Sequence, residues 1–143
     1  MKALHSKIGF IVLALTAAVS IACFNVKDGN GEADVVETTS SPSKKFTAYH
    51  WVWSGGGAAG WCSRRVSILR DMDELPLNTQ PEKARIPIVF STRCSSKISL
   101  TWIDDTRIKI SHSLGDDPFP TSLSQASHTE DGSVKIDYEF IEK

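Results

Sequence analysis

An all-β fold is predicted for this chain from three observations. Beyond residue 44 the apolar side chains recur with period two. The runs that carry them are rich in β-branched and aromatic residues, and Gly, Pro, Ser and Asp cluster between the runs. No segment there keeps an apolar stripe of helical period for three turns. The expected architecture is a single small antiparallel sheet or sandwich of about six strands, preceded by a cleaved signal peptide and a flexible tether.

Residues 1–22 stand apart from the fold. Lys2 and Lys7 precede the apolar run 8–22, which is shorter than the roughly 18–20 residues of a spanning helix and has the layout of a signal peptide. The run ends in VSIAC. Read as a bacterial lipoprotein signal, it makes Cys23 the lipid-bearing N-terminus, although Ser20 stands where such signals usually have Leu. Read as an ordinary secretory signal, it is cut between small residues, Ser20 and Ala22 among them; an uncleaved anchor helix is the third reading. The lipoprotein reading is taken forward. Residues 23–44, which include FNVKDGNGEADVVETTSSPSK, are poor in large apolar groups and read as a tether. A coil of that length spans roughly 20–25 Å on average, and leaves residues 45–143 as the β domain.

Each element of that domain has its own signal. KFTAYHWVW alternates Phe46, Ala48, His50 and Val52 against Thr47, Tyr49, Trp51 and Trp53. WCSRRVSIL places Cys62, Val66 and Ile68 on one face. A polar loop runs from Arg70 to Arg85, then the short strand IPIVFS, which Pro87 assigns to a sheet edge. KISLTWIDDTRIKIS is a hairpin, with Ile98, Leu100 and Trp102 before the turn at Asp104-Asp105 and Ile108 and Ile110 after it. After a loop dense in turn residues, VKIDYEFIE alternates Val134, Ile136, Tyr138 and Phe140 against Lys135, Asp137 and Glu139.

The chain has three cysteines. With Cys23 lipidated, Cys62 and Cys94 remain as a pair for an oxidising compartment; two buried free thiols are the alternative. A bridge between them closes a long loop, worth on the order of 3–4 kcal/mol by chain entropy. No C-x-x-C motif or zinc-spaced Cys/His cluster occurs. Lys2 and Lys7 account for two of the 16 basic residues, so the mature chain sets 14 against 17 acidic ones, a net charge of −3. That balance gives no reason to expect nucleic acid as a partner.

Gly55 to Gly60 spells G-x-G-x-x-G, the string of dinucleotide-binding loops. The fingerprint needs a helix after the glycines, and the residues after Gly60 have the period of a strand. As a P-loop it fails too, because Trp61 and Cys62 replace the Lys and Ser/Thr. No cofactor is expected. His50, His112 and His128 show no paired spacing, so no metal site is assigned. Asp116-Asp117 and Glu130-Asp131 could hold calcium, but solvated turn acids are the plainer reading. No G-x-S-x-G elbow occurs and Ser54 has no evident base, so no catalytic residue is assigned.

Aromatic residues carry the one positive hint of binding. Tyr49, Trp51 and Trp53 share a strand face and Trp61 lies across the loop. Together they form either a platform for sugar rings or a partner protein, or the second side of a sandwich core.

The segments SPSKKFTAYHW, GGGAAGWC, VSIL and ISLTWIDDTRIKIS resemble a family of small, uncharacterised bacterial envelope proteins, many of them lipoproteins. That family has an S-P-D-G-K-like opening strand, a Gly-rich turn leading into V-S-I-L, and a W-x-D hairpin. Here Ser43-Lys44 replaces the Asp-Gly of the opening turn, and His112 stands near the usual Tyr. The resemblance implies an extracytoplasmic β domain. The expected function is a non-catalytic, lipid-anchored module that binds an envelope protein or a cell-wall glycan. Two alternatives stand beside it. One is a periplasmic inhibitor of a lysozyme-like hydrolase presenting SGGGAAG; the other is a hydrolase built on Ser54 or His50.

Overall fold

The computed structural model describes residues 31–56, 60–70, 75, 85–113, 115 and 123–142. Eight strands occur there: β1 (Glu32–Ser40), β2 (Phe46–Gly55), β3 (Trp61–Arg70), β4 (Phe90–Arg93), β5 (Ile98–Asp104), β6 (Arg107–His112), β7 (Ser124–Gln125) and β8 (Lys135–Phe140). They form a five-stranded sheet in the order β1-β2-β3-β4-β7 and a three-stranded sheet in the order β5-β6-β8. The all-β class is as the periodicity predicts, and the arrangement is a sandwich.

Alternation decides what each sheet buries. Phe46 and Ala48 on β2, Val66 and Ile68 on β3 and Phe90 on β4 face the second sheet. There they meet Leu100, Ile108, Ile110 and Ile136 in one apolar cluster. Tyr138 packs at its edge, and its hydroxyl hydrogen lies between the carbonyls of Ala126 (2.8 Å) and Val89 (3.1 Å). Burial pushes that phenol up to about 12. The outer face of the second sheet is wet and charged, with Lys109 paired to Glu139 and Arg107 near Asp104 and Asp137.

The β5–β6 hairpin forms where the sequence places it. Asp104 Oδ1 accepts from the Thr106 N–H (2.8 Å) and hydroxyl (3.0 Å), which closes the turn.

Four expectations are corrected. First, residues 32–40, assigned to the tether, are strand β1, paired antiparallel with β2 from Glu32↔Ser54 to Ser40↔Thr47 around a bulge between Val35 and Glu37. An edge strand has one partner and carries protective acids, so Glu32, Asp34 and Glu37 gave it the composition of a tether. Its tie to the second sheet is the Thr39 carbonyl, which accepts from Trp102 Nε1 at 3.1 Å. Second, eight strands replace about six; besides β1, the sequence hid the two-residue β7, which pairs with β4.

Third, β8 runs parallel to β6 rather than antiparallel. After β6 the chain crosses to β7 in the other sheet and returns beside the start of β6, where the Lys135 N–H donates to the Thr106 carbonyl. Fourth, β4 begins at Phe90, not at Ile86. Pro87 precedes the strand, Ile86 and Val89 are buried and Ile88 is exposed. The turn before β2 also departs from ordinary backbone geometry: Lys44 has φ 59°, in the left-handed region.

The signal peptide 1–22, Cys23 and the tether as far as residue 30 lie outside the described residues, as do Asp116-Asp117.

Candidate functional site

The five-stranded sheet turns its other face away from the sandwich core. On that face stand Thr47, Tyr49, Trp51 and Trp53 of β2, Trp61, Ser63, Arg65, Ser67 and Leu69 of β3, and Ser91 and Arg93 of β4. β1 adds Ala33, Val35, Thr38 and Ser40. None of these is acidic; Glu32, Asp34 and Glu37 belong to the opposite face, in register with Ser54, Val52 and His50.

Of the four aromatic residues proposed as one platform, Trp51 is removed from it. It is fully buried, packed with Leu75 and Ile86 in a second apolar cluster, and its Nε1 donates to Ser67 Oγ at 3.1 Å. Leu75 and Ile86 therefore cover this indole, and Trp51 is core. Tyr49 and Trp53 are half-buried against the same cluster. Trp61 alone remains open, at 39 % exposure.

Gly55 and Gly56 are explained by that tryptophan. Gly55 is the ladder partner of Trp61, and a Cβ there would lie 2.9 Å from the indole Cζ2. Gly56, at φ 94°, would meet Trp61 Cδ1 at 2.7 Å. The glycines let the indole fold across β2 and meet Trp53 edge-on, with centroids 4.4 Å apart and an interplanar angle of 70°. Arg65 then stacks its guanidinium 3.9 Å from the Trp53 centroid while its Nε donates to Ser63 Oγ at 3.1 Å.

Beside Trp61 a groove of about 460 Å³ runs over the β3–β4 ladder. Its polar lining is Ser63, Ser91, Thr92, Arg93 and Ser95. Cys62 and Cys94, in register at the end of this ladder, form the expected disulfide with Cα atoms 5.6 Å apart, which pins the two strands that carry the groove. On the opposite face Arg64 Nε donates to the Cys94 carbonyl at 3.0 Å and adds a second tie.

The histidines are structural or solvated. His50 is buried, with Nε2 3.3 Å from an Arg64 amino group and Nδ1 3.9 Å from Glu37. Burial and then the Arg64 charge lower it to about 4, so it stays neutral. The Glu37 carboxylate pulls the other way, but it is solvated and beyond bonding distance. His112 is buried between Phe90 and Phe140, and His128 is exposed. Asp131 accepts from Ser133, Thr129 and Arg70, contacts that hold it well below the usual carboxylate range. Among the described residues no three His, Cys, Asp or Glu side chains converge on a metal position.

Sequence reading missed Arg65, Arg93 and the serines that line the groove. A signal was available: residues 61–70 and 90–97 contain Arg64, Arg65, Arg70, Arg93 and Lys97 and no acid, within a chain of negative net charge. What the fold and the site define is a disulfide-pinned β-sandwich domain with a basic, aromatic groove at one end of its larger sheet. In comparisons with known proteins the chain matches no family model, no curated protein and no solved structure.

Proposed function

We propose that this chain is a bacterial envelope lipoprotein, anchored through Cys23, whose domain is a non-catalytic binding module. Its ligand is a protein or cell-wall component engaged at the hairpin end of the larger sheet. The observation that carries this reading is Trp61. It stays exposed on a prepared seat of glycines, Trp53 and Arg65, beside a groove on a face without carboxylates among the described strand residues. Rigid aromatic anchors of this kind concentrate binding energy, and the disulfide supports export to an oxidising compartment.

A photo-crosslinker at Ser95, in the groove, is compared with one at Thr101, exposed on β5 of the other sheet. With an intact envelope preparation, adducts are expected from Ser95 and not from Thr101. Equal labelling from both positions removes the groove as the binding surface. The anchor is tested separately: Cys23→Ala is expected to move the protein from the membrane fraction to the soluble one.

A further inference from the structure

We infer that the groove beside Trp61 takes an uncharged glycan, a short chain of pyranose rings. The inference rests on the binding-module reading and names its ligand class.

The chemistry left open in the groove selects that class. The two arginines of this face are committed within the chain. Arg65 lays its guanidinium 3.9 Å from the Trp53 centroid and donates from Nε to Ser63 Oγ, and Arg93 has interactions of its own. Recognition therefore falls to Trp61 and to hydroxyl groups. The indole, 39 % exposed, offers a flat apolar surface to the C–H face of a pyranose ring, and its edge contact with Trp53 fixes its orientation before binding. Ser63, Ser91 and Ser95 line the groove beside it. A hydroxyl both donates and accepts, as sugar hydroxyls do, so the two sets pair without any charge. Ser63 Oγ, which accepts from Arg65, keeps its hydrogen to donate. The Cys62–Cys94 bridge joins the two strands that carry these groups, so they are placed before the ligand arrives.

Other ligands fit less well. An acidic ligand gains little, because Arg93, the one charged residue of the described lining, is already engaged. A cation meets no carboxylate among the described lining residues. A wholly apolar ligand would strip water from three serine hydroxyls and replace it with nothing. A protein partner of ordinary size needs an apolar centre to its contact, and Trp61 is the single large apolar side chain of the lining. The volume, about 460 Å³, falls in the range of about 300–1,000 Å³ typical of small-ligand clefts.

The test uses the full chain in a zwitterionic detergent, which brings no sugar of its own, and calorimetric titration with cellotriose and with triacetylchitotriose. Both are uncharged trisaccharides with flat ring faces, and they differ only in the acetamido group. At least one is expected to bind at millimolar concentration or below, with an affinity that changes less than about twofold as salt is raised, since no charge is matched. Sorbitol, which has the hydroxyls and no ring, should not compete. Trp61→Ala should weaken the sugar at least tenfold, and Trp61→Phe, which keeps a ring face, by no more than about threefold. Ser91→Ala combined with Ser95→Ala should weaken it about three- to tenfold. Phe140→Ala, at an exposed aromatic of the other sheet, should match the unaltered chain. The unaltered chain decides alone if a variant misfolds: no heat from either sugar at millimolar concentration, binding that salt weakens more than about twofold, or competition by sorbitol overturns the inference. Failure here with selective crosslinking from Ser95 leaves the binding module standing with another ligand. Crosslinking without preference for Ser95 removes both.

Discussion

Trp61 meets Trp53 edge-on at a centroid distance of 4.4 Å, across a backbone position, Gly55, that has no room for a side chain. Gly55 and Gly56 thus serve the packing of this indole. Gly55→Ala is expected to displace the Trp61 indole and destabilise the domain by about 1–3 kcal/mol, the usual cost of overpacking. Loss of the near-ultraviolet signal of the coupled indoles, together with a lower denaturation midpoint, would be the reading. An unchanged spectrum would show that the indole does not sit where the structure places it.

Trp51, in the middle of the face, and Trp61, at its end, should separate cleanly. Trp51 is core, so Trp51→Ala is expected to cost about 3–5 kcal/mol. Trp61→Ala removes an exposed edge contact, worth about 0.5–1.5 kcal/mol. Urea unfolding of both variants gives the comparison directly, and similar losses would contradict the burial pattern.

These tryptophans also show what the sequence could and could not reveal. Period two put Tyr49, Trp51 and Trp53 on one face, and the structure agrees; alternation says which residues share a face, not what covers it. The cover comes from Leu75 and Ile86, in or beside a loop whose composition is polar. The β5–β6 hairpin was legible because its pattern is local. β1 and the parallel placement of β8 were not, since an edge strand has a weak apolar signature and parallel pairing depends on a distant crossover. The groove was hidden for the same reason. Arg65 and Arg93 lie far apart in the chain and are brought to one face only by the β3–β4 register.

Acid should weaken the fold before its carboxylates protonate. His50 is held neutral in the folded state, with its pKa lowered to about 4, and His112 shifts in the same direction through burial. The unfolded chain therefore binds more protons than the folded one between about pH 6.5 and 4. Stability rises with pH across that window and falls as pH drops through it. The His50 contribution is on the order of 3 kcal/mol by pH 4. Urea midpoints measured from pH 7 to 4 should decline, and His50→Gln should flatten the decline. A flat profile for the unaltered chain would mean that His50 is hydrated in the native state.

Reduction of the disulfide should act locally first. Cys62 and Cys94 continue the β3–β4 register one step beyond Ser63↔Arg93, so the double variant Cys62→Ser, Cys94→Ser frays the groove end of that ladder. The expected loss is about 3–4 kcal/mol, and the unaltered chain in reductant should unfold at the same midpoint as the variant. Hydrogen exchange should quicken at Ser63 and Arg93 before the buried β6 positions Ile108 and Ile110. Uniform quickening would show that the bridge supports the fold globally.

The boundary between tether and domain has the most direct test. β1 supplies a ladder along the length of β2, and its Thr39 carbonyl satisfies the Trp102 indole across the sandwich. A chain beginning at Lys45 loses both. It also bares β2, ten residues long and rich in aromatic and β-branched side chains, as an open edge. Such a chain is expected to lose several kcal/mol at about 1 kcal/mol per hydrogen bond, and to aggregate with increasing concentration by light scattering. A chain beginning at Gly31 should stay monomeric with the full denaturation midpoint. If the Lys45 chain proves equally stable and monomeric, residues 32–40 belong to the tether after all, and the acids of β1 have no edge to protect.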